Sequence, residues 1–167
     1  MSISKDEIVT AAIQLEGDGF RFYTDAAKNA GSTLSRETFD SLAKDEQRHI
    51  EWITDYTKLK FNAETANKAL YAQLRPVFAD LAESDRQVAG SADADIDALK
   101  FAIKREVAAR DAYAKWADEV DDPEVKDLCE KLVEVEDFHR ELLENVIEYL
   151  DNPTDYFLRE ERWIVEG

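Results

Sequence analysis

At 167 residues, with 44% hydrophobic and 35% charged side chains, the chain has the length and balance of one globular domain with a real core. A formal charge of -17 argues against nucleic acid or an anionic membrane surface as partner, and it attracts cations. The single cysteine, Cys129, excludes an internal disulfide framework and a four-cysteine metal centre. No apolar run reaches membrane-spanning length, and the first residues lack a secretory hydrophobic stretch, so a cytoplasmic protein is expected.

Five glycines and three prolines leave room for long helices. Ser4 and Glu7 form a capping-box pattern, followed at helical spacing by Ile8, Ala12, Leu15, Gly19, Phe22 and Ala26. Gly31 is expected to end this helix. A second is expected to start near Ser35 and run through Phe39, Leu42, Ala43, Ile50 and Ile53 towards Leu59. A third opens after Asp93 or Asp95 and carries Leu99, Ala102, Ile103, Ala109, Trp116 and Val120. Asp122 as N-cap and Pro123 at the first helical position start a fourth, which Asn152 and Pro153 stop.

The turns at 30–34 and 121–122 are short, so each helix pair reads as an antiparallel hairpin. Residues 61–92 are too many for a tight turn and read as a crossover, with a short helix kinked near Pro76. The expected architecture is an all-α four-helix bundle over 1–152, built from two hairpins joined by this crossover. Residues 153–167 read as an acidic, aromatic tail, expected to pack on the bundle or on a neighbouring subunit.

The two hairpins are copies of one unit. AIQLEGDGFRFYTDAAK from Ala12 aligns with AIKREVAARDAYAKWAD from Ala102, and LAKDEQRHIEWI from Leu42 aligns with LVEVEDFHRELL from Leu132. Both matches fall at the same offset of ninety residues. Each copy carries one Glu on its first helix and a Glu-x-x-His on its second: Glu16, Glu46 and His49, then Glu106, Glu136 and His139. The chain has only two histidines, and each has a Glu three positions earlier and another thirty-three positions earlier.

A spacing of three puts each Glu-His pair on one helix face, where both side chains reach a common ion. All six residues lie in or beside the apolar stripes, where an unpaired carboxylate costs several kcal/mol and like charges repel. Two divalent cations balance four carboxylates and two neutral imidazoles. Oxygen and imidazole donors without thiolate suit iron or manganese, with zinc as an adventitious guest.

These repeated motifs resemble the ferritin-like superfamily and, within it, the rubrerythrin-type diiron proteins, over about residues 5–150. The resemblance implies two iron ions per bundle, held by Glu16, Glu46, His49, Glu106, Glu136 and His139, with some of the carboxylates bridging. It implies that Tyr23 and Tyr113, each seven residues after a Glu of the set, hydrogen-bond ligand carboxylates. It implies reduction of hydrogen peroxide by a non-haem diiron peroxidase. A separate protein would donate the electrons, because no rubredoxin-like CxxC pair is present.

The additional Glu often found one turn after the third-helix ligand is Ala109 here, so the ligand exchange associated with it is not expected. The alternative is a ferroxidase or iron-storage protein of ferritin or bacterioferritin type, reacting with dioxygen. It would lack haem, since Met1 is the only methionine. The modest tail favours a homodimer over a storage shell. Asp45 could orient an imidazole from a neighbouring helix, but its counterpart is Val135 and a surface carboxylate is the preferred reading; Cys129 reads as a core filler, and the three tryptophans as uninformative.

Overall fold

The computed structural model describes residues 4–55 and 92–152. They form four helices: α1 (Lys5–Asn29), α2 (Thr33–Thr54), α3 (Ala92–Glu119) and α4 (Pro123–Asp151). Helix α1 starts at the expected capping box, in which the Glu7 N–H donates to Ser4 Oγ and the Ser4 N–H donates to Glu7 Oε2. Helix α4 starts with Asp122 accepting from the Glu124 and Val125 N–H groups, ahead of Pro123.

The α1–α2 turn departs from the expectation. Helix α1 ends at Asn29 rather than at Gly31, and Ala30 is already extended. Helix α2 begins at Thr33, two residues early, with Ser32 as N-cap. Gly31 does not take the left-handed conformation that usually makes glycine a helix stop. Instead the Gly31 and Ser32 N–H groups both donate to the carboxylate of Asp95, at 2.8 Å each. An outside acceptor therefore fixes the turn.

Each hairpin packs on itself, α1 against α2 and α3 against α4, and the hairpins lie side by side with α1 beside α3 and α2 beside α4. Asp95, in the first turn of α3, meets the end of α1, while Lys5, at the start of α1, pairs with Asp122 beyond the end of α3 at 3.7 Å. Helices α1 and α3 are thus antiparallel, and the end of α2 and the start of α3 lie at opposite ends of the bundle. A chain leaving α2 must cross the bundle's length to begin α3, which is why the connection is long. Helix α2 ends at Thr54 with Asp55 as C-cap, short of the expected Leu59. The kinked helix expected near Pro76, Trp163 and the tail 153–167 lie outside the described residues.

The core is apolar towards both ends. Tyr23, Leu34, Phe39, Leu42, Leu99, Leu142 and Val146 cluster towards one end. Ala12, Ile53, Tyr113, Leu128 and Leu132 cluster on the other side of the middle. Cys129 lies beyond them with Ile8, Val120 and Val125, and burial pushes its thiol up to about 12, so it packs as the inert filler expected. Between these clusters the repeated polar residues face one another. Among the described residues, no helix is long and apolar enough to cross a membrane.

Candidate metal centre

All six residues singled out by the repeat are buried: Glu16 2%, Glu46 4%, His49 0%, Glu106 3%, Glu136 2% and His139 0% exposed. The fold gathers them into two overlapping groups. Glu16, Glu46, His49 and Glu136 each offer an atom to one group, and Glu46, Glu106, Glu136 and His139 to the other, all within 4.8 Å of one another. Glu46 and Glu136 belong to both groups; Glu16 with His49, and Glu106 with His139, belong to one each.

The imidazoles turn Nδ1 inward. His49 Nδ1 lies 2.8 Å from Glu16 Oε2 and 3.6 Å from Glu46 Oε2. His139 Nδ1 lies 3.3 Å from Glu106 Oε2 and 3.7 Å from Glu136 Oε2. The two rings stack, with centroids 5.4 Å apart. Tyr23 donates its hydroxyl to Glu106, and Tyr113 donates to Glu16. Each tyrosine therefore serves the carboxylate of the opposite repeat, not the one seven residues before it. Burial and the neighbouring carboxylates keep both phenols well above their ordinary pKa, so they remain donors.

Protons stand where cations would balance the charge. Burial, then the charge of Glu16, pushes Glu46 well above the carboxylate range, and burial with Glu106 does the same to Glu136. Burial opposes ionisation of Glu16, but Glu46, His49 and Tyr113 outweigh it and hold the carboxyl at about 2. Glu106 is likewise lowered by Glu136 and His139 against the effect of burial. Burial also opposes a charge on His139, yet Glu106 and Glu136 raise it to about 10. His49 goes the other way, because burial dominates there.

Two observations test whether metal fits. Among the described residues, His139 Nδ1 and Glu106 Oε2 face each other, fully buried, and neither has a hydrogen-bond partner. They meet at 3.3 Å without a formed hydrogen bond, and a cation between them would satisfy both. Gly19 forms a cradle for Glu46: a Cβ there would lie 3.0 Å from the Glu46 carboxyl carbon and from Oε1. The residues fit a two-metal, carboxylate–imidazole site.

Asp45 corrects the sequence reading. It is 2% exposed, not a surface carboxylate, and its Oδ2 lies 3.5 Å from His139 Nε2. The missed signal was its partner: Asp45 and Arg48 pair one turn apart, and the other repeat replaces both, with Val135 and Phe138. The tryptophans also say more than expected. Trp52 lies 5.1 Å from the His49 ring and Trp116 lies 5.4 Å from Tyr113. Each follows its partner by three residues, a spacing that placed them on the site's face.

No curated protein and no solved structure matches the chain. The rubrerythrin family model matches residues 7–147, a span that holds all six clustered residues and both tyrosines. That match covers most of the chain, and the protein accordingly belongs to the rubrerythrin family.

Proposed function

We propose that this protein is a non-haem diiron peroxidase that reduces hydrogen peroxide to water with electrons from a separate donor protein. The observation that carries the reading is the pair of buried clusters sharing Glu46 and Glu136, within a chain of the rubrerythrin family. In it, Glu46 and Glu136 would serve both iron ions, Glu16 and His49 would complete one position, and Glu106 and His139 would complete the other. When bound, two ferrous ions supply one electron each, which with two protons convert hydrogen peroxide to two waters.

The chain's own residues do the rest. Tyr113 and Tyr23 hold one oxygen each of Glu16 and Glu106, fixing those carboxylates while the other oxygen faces the imidazole Nδ1 with which it would share an ion. The apolar clusters on either side exclude water, which strengthens every charge interaction between them. The chain's one cysteine cannot build a thiolate iron centre, so reducing equivalents come from another protein. A homodimer is the expected working form.

Stopped-flow oxidation of the anaerobically iron-loaded protein tests this, with hydrogen peroxide and dioxygen at equal concentration. Faster reaction with peroxide, saturating at two irons per chain, is the expected result. Preference for dioxygen with continued iron uptake would replace the peroxidase reading by ferroxidase and storage.

A further inference from the structure

The repeats agree at every residue of the two clusters and at both tyrosines, yet they differ beside the imidazoles. Asp45 and Arg48 on α2 correspond to Val135 and Phe138 on α4, so an ion pair in one repeat is an apolar pair in the other. The consequence falls across the bundle. Asp45 Oδ2 reaches His139 Nε2, on the opposite hairpin, at 3.5 Å. Val135 is buried and offers no acceptor; among the described residues neither His49 Nε2 nor His139 Nε2 makes a formed hydrogen bond, but only His139 Nε2 has a carboxylate beside it.

An imidazole that binds metal through Nδ1 must carry its proton on Nε2. At His139 that proton faces a carboxylate, which fixes the tautomer, holds the ring and makes Nδ1 a better donor. The gap of 3.5 Å is a few tenths of an ångström beyond a good hydrogen bond, and such bonds tighten once the ligand is in place. Arg48, less buried than Asp45, neutralises it from the outer side, so the pair adds no net charge to a centre that two divalent ions already balance. His49 meets Glu16 and Glu46 through Nδ1 and lies beside the rings of Trp52 and His139, and among the described residues no carboxylate faces its Nε2.

We infer that Asp45 is a positioning residue that makes the two metal positions unequal, so that the one built on His139 and Glu106 fills first and holds its ion more tightly. This rests on the two-metal reading above. The asymmetry is set by residues that touch no metal, and it gives the centre an order of assembly.

The test is a cobalt(II) titration of the metal-free full chain, followed by visible absorption and by proton NMR of the exchangeable, paramagnetically shifted imidazole N–H signals. The wild type should bind two ions in two resolved steps, with one N–H signal exchanging slowly with solvent. His139→Ala should remove the tighter step and His49→Ala the weaker. Asp45→Asn, of nearly the same shape, should weaken the tighter step about 10- to 100-fold and speed exchange of that N–H. Asp45→Val with Arg48→Phe, which installs the other repeat's pair, should make the two steps indistinguishable. Two equal steps in the wild type, or an unchanged pattern in Asp45→Asn, would overturn the inference and leave the two-metal reading standing. Failure of the wild type to bind two ions would overturn both.

Discussion

At the scale of single residues, the carboxylates divide by how many clusters they join. Glu46 and Glu136 serve both, whereas Glu16 and Glu106 serve one each. Glu46→Gln or Glu136→Gln should therefore lose both metals, and Glu16→Gln or Glu106→Gln only one, read by elemental analysis after equilibrium dialysis. Equal losses from all four would contradict the shared role. Gly19 is the second residue on which the centre depends. Its Cβ, if present, would press the Glu46 carboxyl at 3.0 Å, so the carboxylate would have to give by a few tenths of an ångström. Alanine is the better helix former by about 1 kcal/mol. Gly19→Ala should thus leave the melting of the metal-free protein nearly unchanged or slightly raised, while weakening metal binding about tenfold, a shift near 1.4 kcal/mol. A metal titration beside a thermal melt separates the two effects.

At the scale of elements, helix ends tie the two hairpins together. Asp95 on α3 accepts from two backbone N–H groups of the α1–α2 turn, and it is 3% exposed. Removing the carboxylate leaves both amides without their acceptor in a partly buried turn. Asp95→Ala should cost about 2–4 kcal/mol in denaturant unfolding, more than the usual loss of one neutral hydrogen bond. A cost below about 1 kcal/mol would mean that water replaces the acceptor. The corresponding corner of the other repeat uses a weaker device, the exposed Lys5–Asp122 pair at 3.7 Å. Charge reversal at Lys5 should therefore change stability much less than loss of Asp95.

At the scale of the molecule, the buried cluster links protonation, folding and metal. Glu46 and Glu136 have folded pKa values raised above the ordinary 4.5, so above that pH the folded state holds more protons than the unfolded one. Stability of the metal-free protein must then fall as pH rises from the carboxylate range towards neutrality. His139, raised to about 10, continues the fall above its ordinary 6.5. His49, which is lowered, opposes it with a single group. Glu16, held at about 2, contributes stability above its ordinary value that is lost as pH falls through about 2. The metal-free chain should accordingly be most stable in mild acid, and metal should reverse that order by displacing the protons. Melting curves between pH 5 and 8, with metal and with chelator, check both signs. A metal-free protein that gains stability towards neutrality would show that other groups govern the balance.

Much of this was legible in the chain itself. Two histidines, each preceded by Glu at three and at thirty-three positions, within a repeat offset by ninety, mark the cluster because buried carboxylates need compensation wherever they fall on an apolar stripe. The helix starts at Ser4 and Asp122 were equally clear, since a cap acts within one turn and needs no distant partner. What lay across the bundle was not. The stop at Asn29 depends on Asp95, sixty-four positions from Gly31, so a local reading assigned it to the glycine. That the tyrosines hydrogen-bond carboxylates of the set was expected, but that each reaches the carboxylate of the other repeat was not legible. Asp45 reads as a surface carboxylate in the sequence because the other repeat has Val135 in its place; only the packing shows that His139, on the other hairpin, lies beside it. Periodicity and spacing determine which residues are buried and on which face. Which of them meet across a core, and so which carboxylates are shared and which imidazole is braced, follows only from packing four helices at fixed distance and register.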